Sequence, residues 1–376
     1  MTTELLGKLA ADLLDALATA DQPLTGQREH PAVAASEREA VLRFWQAHGV
    51  AGMVLRIYSP DSLCNALGQG GHDHLAASAA HSQHAAMALL AALAQVLALA
   101  AKAGIAVAPF KGPSESQALY GDFGVRATSD LDLLVSPRQR DALLSLLLDS
   151  GWVLRGLYAD LGPQARRWYR RAQHALVLTA PTGTALDLHW RINEYPLLDI
   201  DESRWLEDRS LPTRIAGQPA RQLEPVSRYL ALLSHAARSQ WSQLKWWTDL
   251  VRSRRLAVAA VGQDALAMQL RAAGVEALDA AWQQSWVTLR QGQLPCMSEP
   301  DYWLLSDAEL TPRQHFAQMW GLRPNLRYRL VLCARELIRW DDVKQWPLPD
   351  RLFPLYLFLR LPLWLLRRAG IIAGQS

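Results

Sequence analysis

The stretch whose reading decides the fold is Phe110-Lys111-Gly112-Pro113-Ser114, followed after a spacer by Arg126 and then Ser129-Asp130-Leu131-Asp132-Leu133-Leu134-Val135. Leu131–Val135 reads as a strand, and side chains on a strand alternate between two faces. Asp130 and Asp132 therefore leave one face, while Leu131 and Leu133 leave the other, into a core. Two carboxylates side by side repel each other, and a fold seldom tolerates this without a cation between them. Oxygen-only ligation suits Mg²⁺ or Mn²⁺ rather than zinc.

Outward from this strand, the pattern predicts a strand at Ile105–Phe110, a helix at Pro113–Tyr120 and a helix over 137–149 with Pro137 in its first turn. Further strands are expected at Trp152–Leu157, Ala175–Leu178 and Ala185–His189, the last two joined by a hairpin turn at Thr182-Gly183. In Leu186-Asp187-Leu188-His189-Trp190 the same alternation offers Asp187 as a third carboxylate from a neighbouring strand. His189 shares its face and reads as a hydrogen-bonding support. The Lys111–Ser114 turn lies between strand and helix, where backbone N–H groups can meet phosphate oxygens. Ser114 adds a hydroxyl there, and Lys111 and Arg126 add positive charge.

Lys111-Gly112, Leu119-Tyr120, Arg126-x-x-Ser129-Asp130-Leu131-Asp132-Leu133-Leu134-Val135 and Asp187-Leu188-His189-Trp190, in this order, resemble the bacterial uncharacterised nucleotidyltransferase family of the DNA polymerase β-like superfamily. The Lys-Gly turn is also similar to that of abortive-infection toxin nucleotidyltransferases. Leu233-Ser234-His235, Trp241, Leu244, Trp246-Trp247 and Asp249-Leu250 resemble the family's helical region, so the likeness covers about residues 85–256. It implies an α/β (α+β) fold: a polymerase-β-like nucleotidyltransferase core with a mixed sheet, embedded in largely helical N- and C-terminal regions. It also implies Mg²⁺ (or Mn²⁺) and a nucleoside triphosphate, ATP foremost. Asp130, Asp132 and Asp187 are then the catalytic, metal-binding carboxylates, with Lys111, Gly112, Ser114, Arg126 and Ser129 around the nucleotide. Two features depart from the family: Pro113 removes one N–H donor from the turn, and the interval from Gly112 to Asp130 is long.

The flanks read as helical. Residues 4–19 carry Leu5, Leu6, Leu9, Leu13, Leu14 and Leu17 on one stripe, and a second helix is expected from Ser36 to His48. Gly68–His74 reads as a loop, and an Ala-rich helix follows over His81–Ala103, ended by Gly104. Its alanines, Gln95 and Lys102 argue for a half-buried helix rather than a membrane span. Glu224–Ser239, Trp241–Leu256 and Gln263–Trp286 are the clearest later helices, and Arg252, Arg254 and Arg255 read as cations ending one of them. The division expected is 1–80 helical, 81–195 nucleotidyltransferase core and 196–376 helical with an apolar basic tail.

The 39 Lys and Arg against 36 Asp and Glu leave +3, too slight a charge to imply nucleic acid by itself. Cys64, Cys296 and Cys333 are too few and too far apart for a disulfide framework or a CxxC zinc site. The 15 tryptophans favour Trp-rich helix packing. Glu4, Lys8 and Asp12 interrupt any leader pattern, so a cytoplasmic place is expected, with peripheral contact to the inner membrane the variant that the tail allows.

The function expected is transfer of a nucleoside monophosphate, AMP foremost, to a hydroxyl or phosphate of an acceptor. A small molecule, peptide or saccharide is favoured over RNA, and the resemblance implies natural-product or exopolysaccharide settings. Two alternatives stand beside this. Arg166, Arg167, Arg170 and Arg171 around Trp168 and Tyr169 admit a toxin-like tRNA-modifying enzyme. The apolar, arginine-bearing segment 351–368, together with Pro113, admits a degenerate binding module at a membrane or biosynthetic complex.

Overall fold

The computed structural model describes residues 3–20, 24, 26–293, 312–336, 338 and 340–368. Cys296 lies outside the described residues.

Five strands form one mixed sheet: β1 (Val107–Pro109), β2 (Asp130–Val135), β3 (Val153–Leu154), β4 (Ala175–Thr179) and β5 (Ala185–His189), in the order β1-β2-β5-β4-β3. β2 and β5 run parallel, and the other neighbours are antiparallel. The alternation expected along β2 holds. Leu131, Leu133 and Val135 share a core with Leu186, Leu188, Leu176 and Leu178 and with helix α7 (Arg140–Asp149) through Leu143 and Leu147. Leu134, on the opposite face, joins a second core built largely from the flanking helices. One face of the sheet is thus buried throughout, and the other opens at the aspartates and, farther along, at Val177 and Val153.

The first flank holds α1 (Thr3–Thr19), α2 (Arg38–Ala47), α3 (Ala51–Ile57), α4 (Pro60–Leu67) and α5 (Gln69–Lys102). The loop expected at Gly68–His74 is absent: α5 begins at Gln69 and runs 34 residues. Gly68 alone, at φ 78°, makes the break from α4. Gly71 is helical because α4 crosses closely there; a Cβ on it would lie 2.8 Å from the Leu67 Cβ. Packing along so long a helix overrides the propensity cost of its glycines, about 1 kcal/mol each. By length and composition α5 could cross a membrane, but it packs against α2, α3, α4, the sheet and helix α6 (Gly112–Tyr120), with Leu93, Val96 and Leu97 buried.

Beyond the sheet lie α8 (Pro163–Ala172), placed before β4, then α9 (Trp205–Asp208), α10 (Pro225–Arg238), α11 (Leu244–Val261), α12 (Gln263–Ala272) and α13 (Glu276–Arg290). Gly274, at φ 70°, divides the single helix expected over Gln263–Trp286 into α12 and α13. A hairpin of β6 (Ser210–Ile215) and β7 (Gln218–Leu223) was not foreseen in this mostly helical stretch. Its turn residues Ala216 and Gly217 both have positive φ, as a type I′ turn demands. Arg252, Arg254 and Arg255 do not end a helix, since α11 continues to Val261. Arg252 is instead a buried strut, donating to the Leu119 and Leu17 carbonyls at 3.0 and 3.2 Å. Trp247 meets Trp241 and Trp282 edge-on in the same core, matching the expected Trp-rich packing.

The later helices are Pro312–Gly321, Leu326–Glu336, Trp340–Gln345 and Tyr356–Arg368. The tail docks at its start: Phe353 and Tyr356 are buried, and the Asp350 carboxylate accepts the Gln164 and Ala165 N–H groups at 2.8 and 2.9 Å, capping α8. Membrane contact through 351–368 finds no support in this packing, although Phe358 and Leu365 are exposed. The side chains of Arg360 and Arg368 lie outside the described ones. On α8, Arg166 donates to the Tyr158 and Ala159 carbonyls and Arg170 pairs with Asp141, so two of the four clustered arginines are used internally.

Candidate active site

Register builds the site. Asp132 stands opposite Asp187 across the parallel β2–β5 pair, and Asp130 opposite Ala185. Asp132, Asp187 and His189 each offer a ligand atom within 4.8 Å of the others. Asp130 lies outside that triad, two residues along the same face. The carboxylates feel each other. Burial, then repulsion from Asp132 and Asp130, raises the Asp187 carboxyl above its ordinary value against the pull of His189 and Lys111.

Asp132 is held firmly. Lys111 Nζ and His189 Nε2 both reach its Oδ1 at 2.9 Å. Burial alone would raise its pKa, but the Lys111 and His189 contacts outweigh that and hold the carboxyl well below the usual carboxylate range. Oδ2 has no protein partner among the described residues. His189 Nδ1 faces the Arg191 carbonyl at 3.3 Å, and its ring meets Phe110 and His174 edge-on. With both nitrogens engaged, His189 orients Asp132, which leaves carboxylate oxygens as the donors. The Asp132 and Asp187 carboxylates, with Asp130 two residues along the same face, are a donor set that suits a divalent cation.

The turn above the carboxylates is tightly seated. Gly112 has φ 70°, and a Cβ there would lie 3.1 Å from the Asp130 carbonyl oxygen, so glycine is needed for this approach. Ser114 is buried, and its hydroxyl donates to the Lys111 carbonyl at 3.1 Å instead of standing open. Ser129 is exposed, its hydroxyl 3.5 Å from Asp130 Oδ1. Lys111, expected at phosphate, sits on Asp132 in this structure.

Arg126 departs from expectation. It is only 5% exposed, and its Nε donates to Asp249 Oδ2 at 2.6 Å, while the Tyr120 hydroxyl donates to Asp249 Oδ1 at 2.8 Å. A buried carboxylate on α11 has captured the guanidinium, which ties the loop before β2 to the helical region. His174 and His235 each keep an Nδ1 without a hydrogen-bond partner.

Sequence reasoning missed Lys245. It lies at the start of α11, partly buried, in the electrostatic field of Asp130, Arg126 and Asp249. Its one signal is position, between Leu244 and Trp246-Trp247 of the family-like stretch. A lone lysine there otherwise reads as a solvated helix face.

Opposed carboxylates on two parallel strands, with a glycine turn leading into a helix directly above them, define the nucleotidyltransferase class. The chain belongs to the family described as uncharacterised nucleotidyltransferases, whose sequence model matches residues 34–281. No curated protein matches it. Among solved structures, a solution structure of the antibiotic-resistance factor ANT(2'')-Ia aligns with a TM-score of 0.34 and 16% identity, covering 55% of this chain and 96% of that one. A crystal structure of ANT(2'')-Ia in complex with adenylyl-2''-tobramycin aligns with a TM-score of 0.33 and 17% identity, over 52% and 97%.

Proposed function

We propose that the protein transfers a nucleoside monophosphate, AMP from ATP, to a hydroxyl or phosphate oxygen of a small-molecule, saccharide or peptide acceptor, with Mg²⁺ (or Mn²⁺) as cofactor. The observation that carries this reading is the β2–β5 register, which sets Asp132 against Asp187 with Asp130 beside them. Asp130, Asp132 and Asp187 would hold the divalent cations, whose chemistry is to neutralise charge on the phosphate oxygens in flight.

The chain's own groups supply the rest. Lys111 and His189 keep Asp132 ionised and fixed in one orientation. The Lys111–Ser114 turn offers phosphate oxygens the N-terminus of α6. Arg126 braces the loop before β2 through Asp249. The acceptor oxygen bonds to the α-phosphorus as the α–β bridging bond breaks. Pyrophosphate leaves with that electron pair, and the acceptor proton passes to the Asp187 carboxylate.

An assay with α-labelled ATP, Mg²⁺ and a panel of acceptors tests this, with the Asp130→Asn/Asp132→Asn double variant as control. Label should move in the parent only. Equal transfer by the double variant would put the chemistry elsewhere.

A further inference from the structure

The structure assigns Lys245 to the triphosphate tail of the nucleotide, as a cation delivered by the helical region and seated by the turn between α2 and α3. This rests on the nucleotidyl-transfer reading and extends it to a residue outside the sheet.

Lys245 is the second residue of α11, after Leu244. An ammonium there is misplaced electrostatically, because a helix N-terminus is itself positive. Burial first, and then the neighbouring Arg126, lower its pKa to about 8, against the pull of Asp249 and Asp130. No hydrogen bond or ion pair engages it among the described residues. A partly buried, unpaired cation weakens a fold unless an anion arrives from outside. Asp130 influences it without touching it, so a ligand bridging the two would carry negative charge toward Lys245 and a divalent cation toward Asp130. A triphosphate with its cation has that charge pattern.

The side chain is also deliberately housed. His48 Nδ1 accepts the Leu244 N–H at 3.0 Å, taking one of the free donors at the start of α11. Gly49 follows, at φ 66°, and a Cβ on it would lie 3.2 Å from Lys245 Cδ and 4.0 Å from Nζ. The turn between α2 and α3 thus packs on the Lys245 side chain and also on the loop before β2, where a Cβ on Gly49 would lie 3.2 Å from the Ala127 Cβ. The same cation could instead meet a phosphate on the acceptor, so the test compares ligands with and without the β- and γ-phosphates.

Full-length Lys245→Met and Lys245→Arg are titrated with fluorescent ATP and fluorescent AMP in Mg²⁺, and thermal unfolding is followed without ligand. For Lys245→Met the Kd for ATP should rise roughly tenfold or more while that for AMP stays within about twofold. The unliganded Tm should hold or rise, and Lys245→Arg should recover most ATP affinity. Unchanged ATP binding by Lys245→Met overturns the assignment and leaves the nucleotidyl-transfer reading standing. Equal weakening of ATP and AMP, or a fall in Tm, marks a structural lysine and overturns it too. If the parent itself binds no ATP, the nucleotidyl-transfer reading falls and this assignment with it.

Discussion

Asp132 and Asp187 face one another across two parallel strands, with their ligand atoms within 4.8 Å. The leucines between them enforce this. Leu131, Leu133, Leu186 and Leu188 are all buried on the opposite face, and a one-residue slip would turn them to the cleft. Core patterning therefore sets the spacing of the charges; Lys111 and His189 offset the cost at Asp132, and the cost that remains is at Asp187.

Asp187→Asn should show that cost. Burial and the two neighbouring carboxylates raise the Asp187 pKa above its unfolded value, so the metal-free protein gains stability as pH falls through the folded value. At neutral pH the amide removes this strain, and the metal-free Tm should hold or rise. Transfer should fall roughly a hundredfold or more, and the Tm increase given by Mg²⁺ should vanish. Thermal melts with and without Mg²⁺, beside the transfer assay, check it.

Lys111→Met leaves Asp132 buried with one partner in place of two. Breaking such a pair costs about 3–5 kcal/mol, to be read by urea unfolding at pH 7. Mg²⁺ should restore part of the loss. The Asp132 carboxyl is depressed in the fold, so its contribution is full above the ordinary Asp value near about pH 4 and is lost as pH falls below it. In Lys111→Met that loss should be smaller and end at higher pH, because only the folded value rises.

Arg126→Met tests whether this residue is a strut. It strands Asp249 with Tyr120 alone, and unfolding free energy should drop by about 3–5 kcal/mol. Adding Asp249→Leu should return much of it. ATP affinity of the folded protein should change little; a large loss at unchanged stability would make Arg126 a phosphate contact after all.

Asp350→Ala removes the carboxylate that caps α8. A loss of about 0.5–2 kcal/mol is expected by denaturant titration, with transfer unchanged.

The parts of the fold legible in sequence were those where burial and periodicity agree. Alternation named β2 and β5, and their shared face placed Asp130, Asp132 and Asp187 on one side of the sheet. The failures arise where a tertiary contact decides. Glycines in 68–74 read as a loop because propensity cannot report that α4 leaves room only for glycine at Gly71. Arg126 read as a phosphate ligand because its partner, Asp249, lies more than a hundred residues away on α11. Lys245 is silent for the same reason: Gly49 meets its side chain, and His48 the neighbouring Leu244 N–H, only in the folded chain.

The most direct measurement is Mn²⁺ binding, titrated with a non-hydrolysable ATP analogue present and followed by electron paramagnetic resonance, in the parent and in Asp132→Asn/Asp187→Asn. The parent should bind Mn²⁺, and the double variant roughly a hundredfold more weakly while remaining folded. A double variant that binds Mn²⁺ as tightly as the parent would contradict a cation site between β2 and β5.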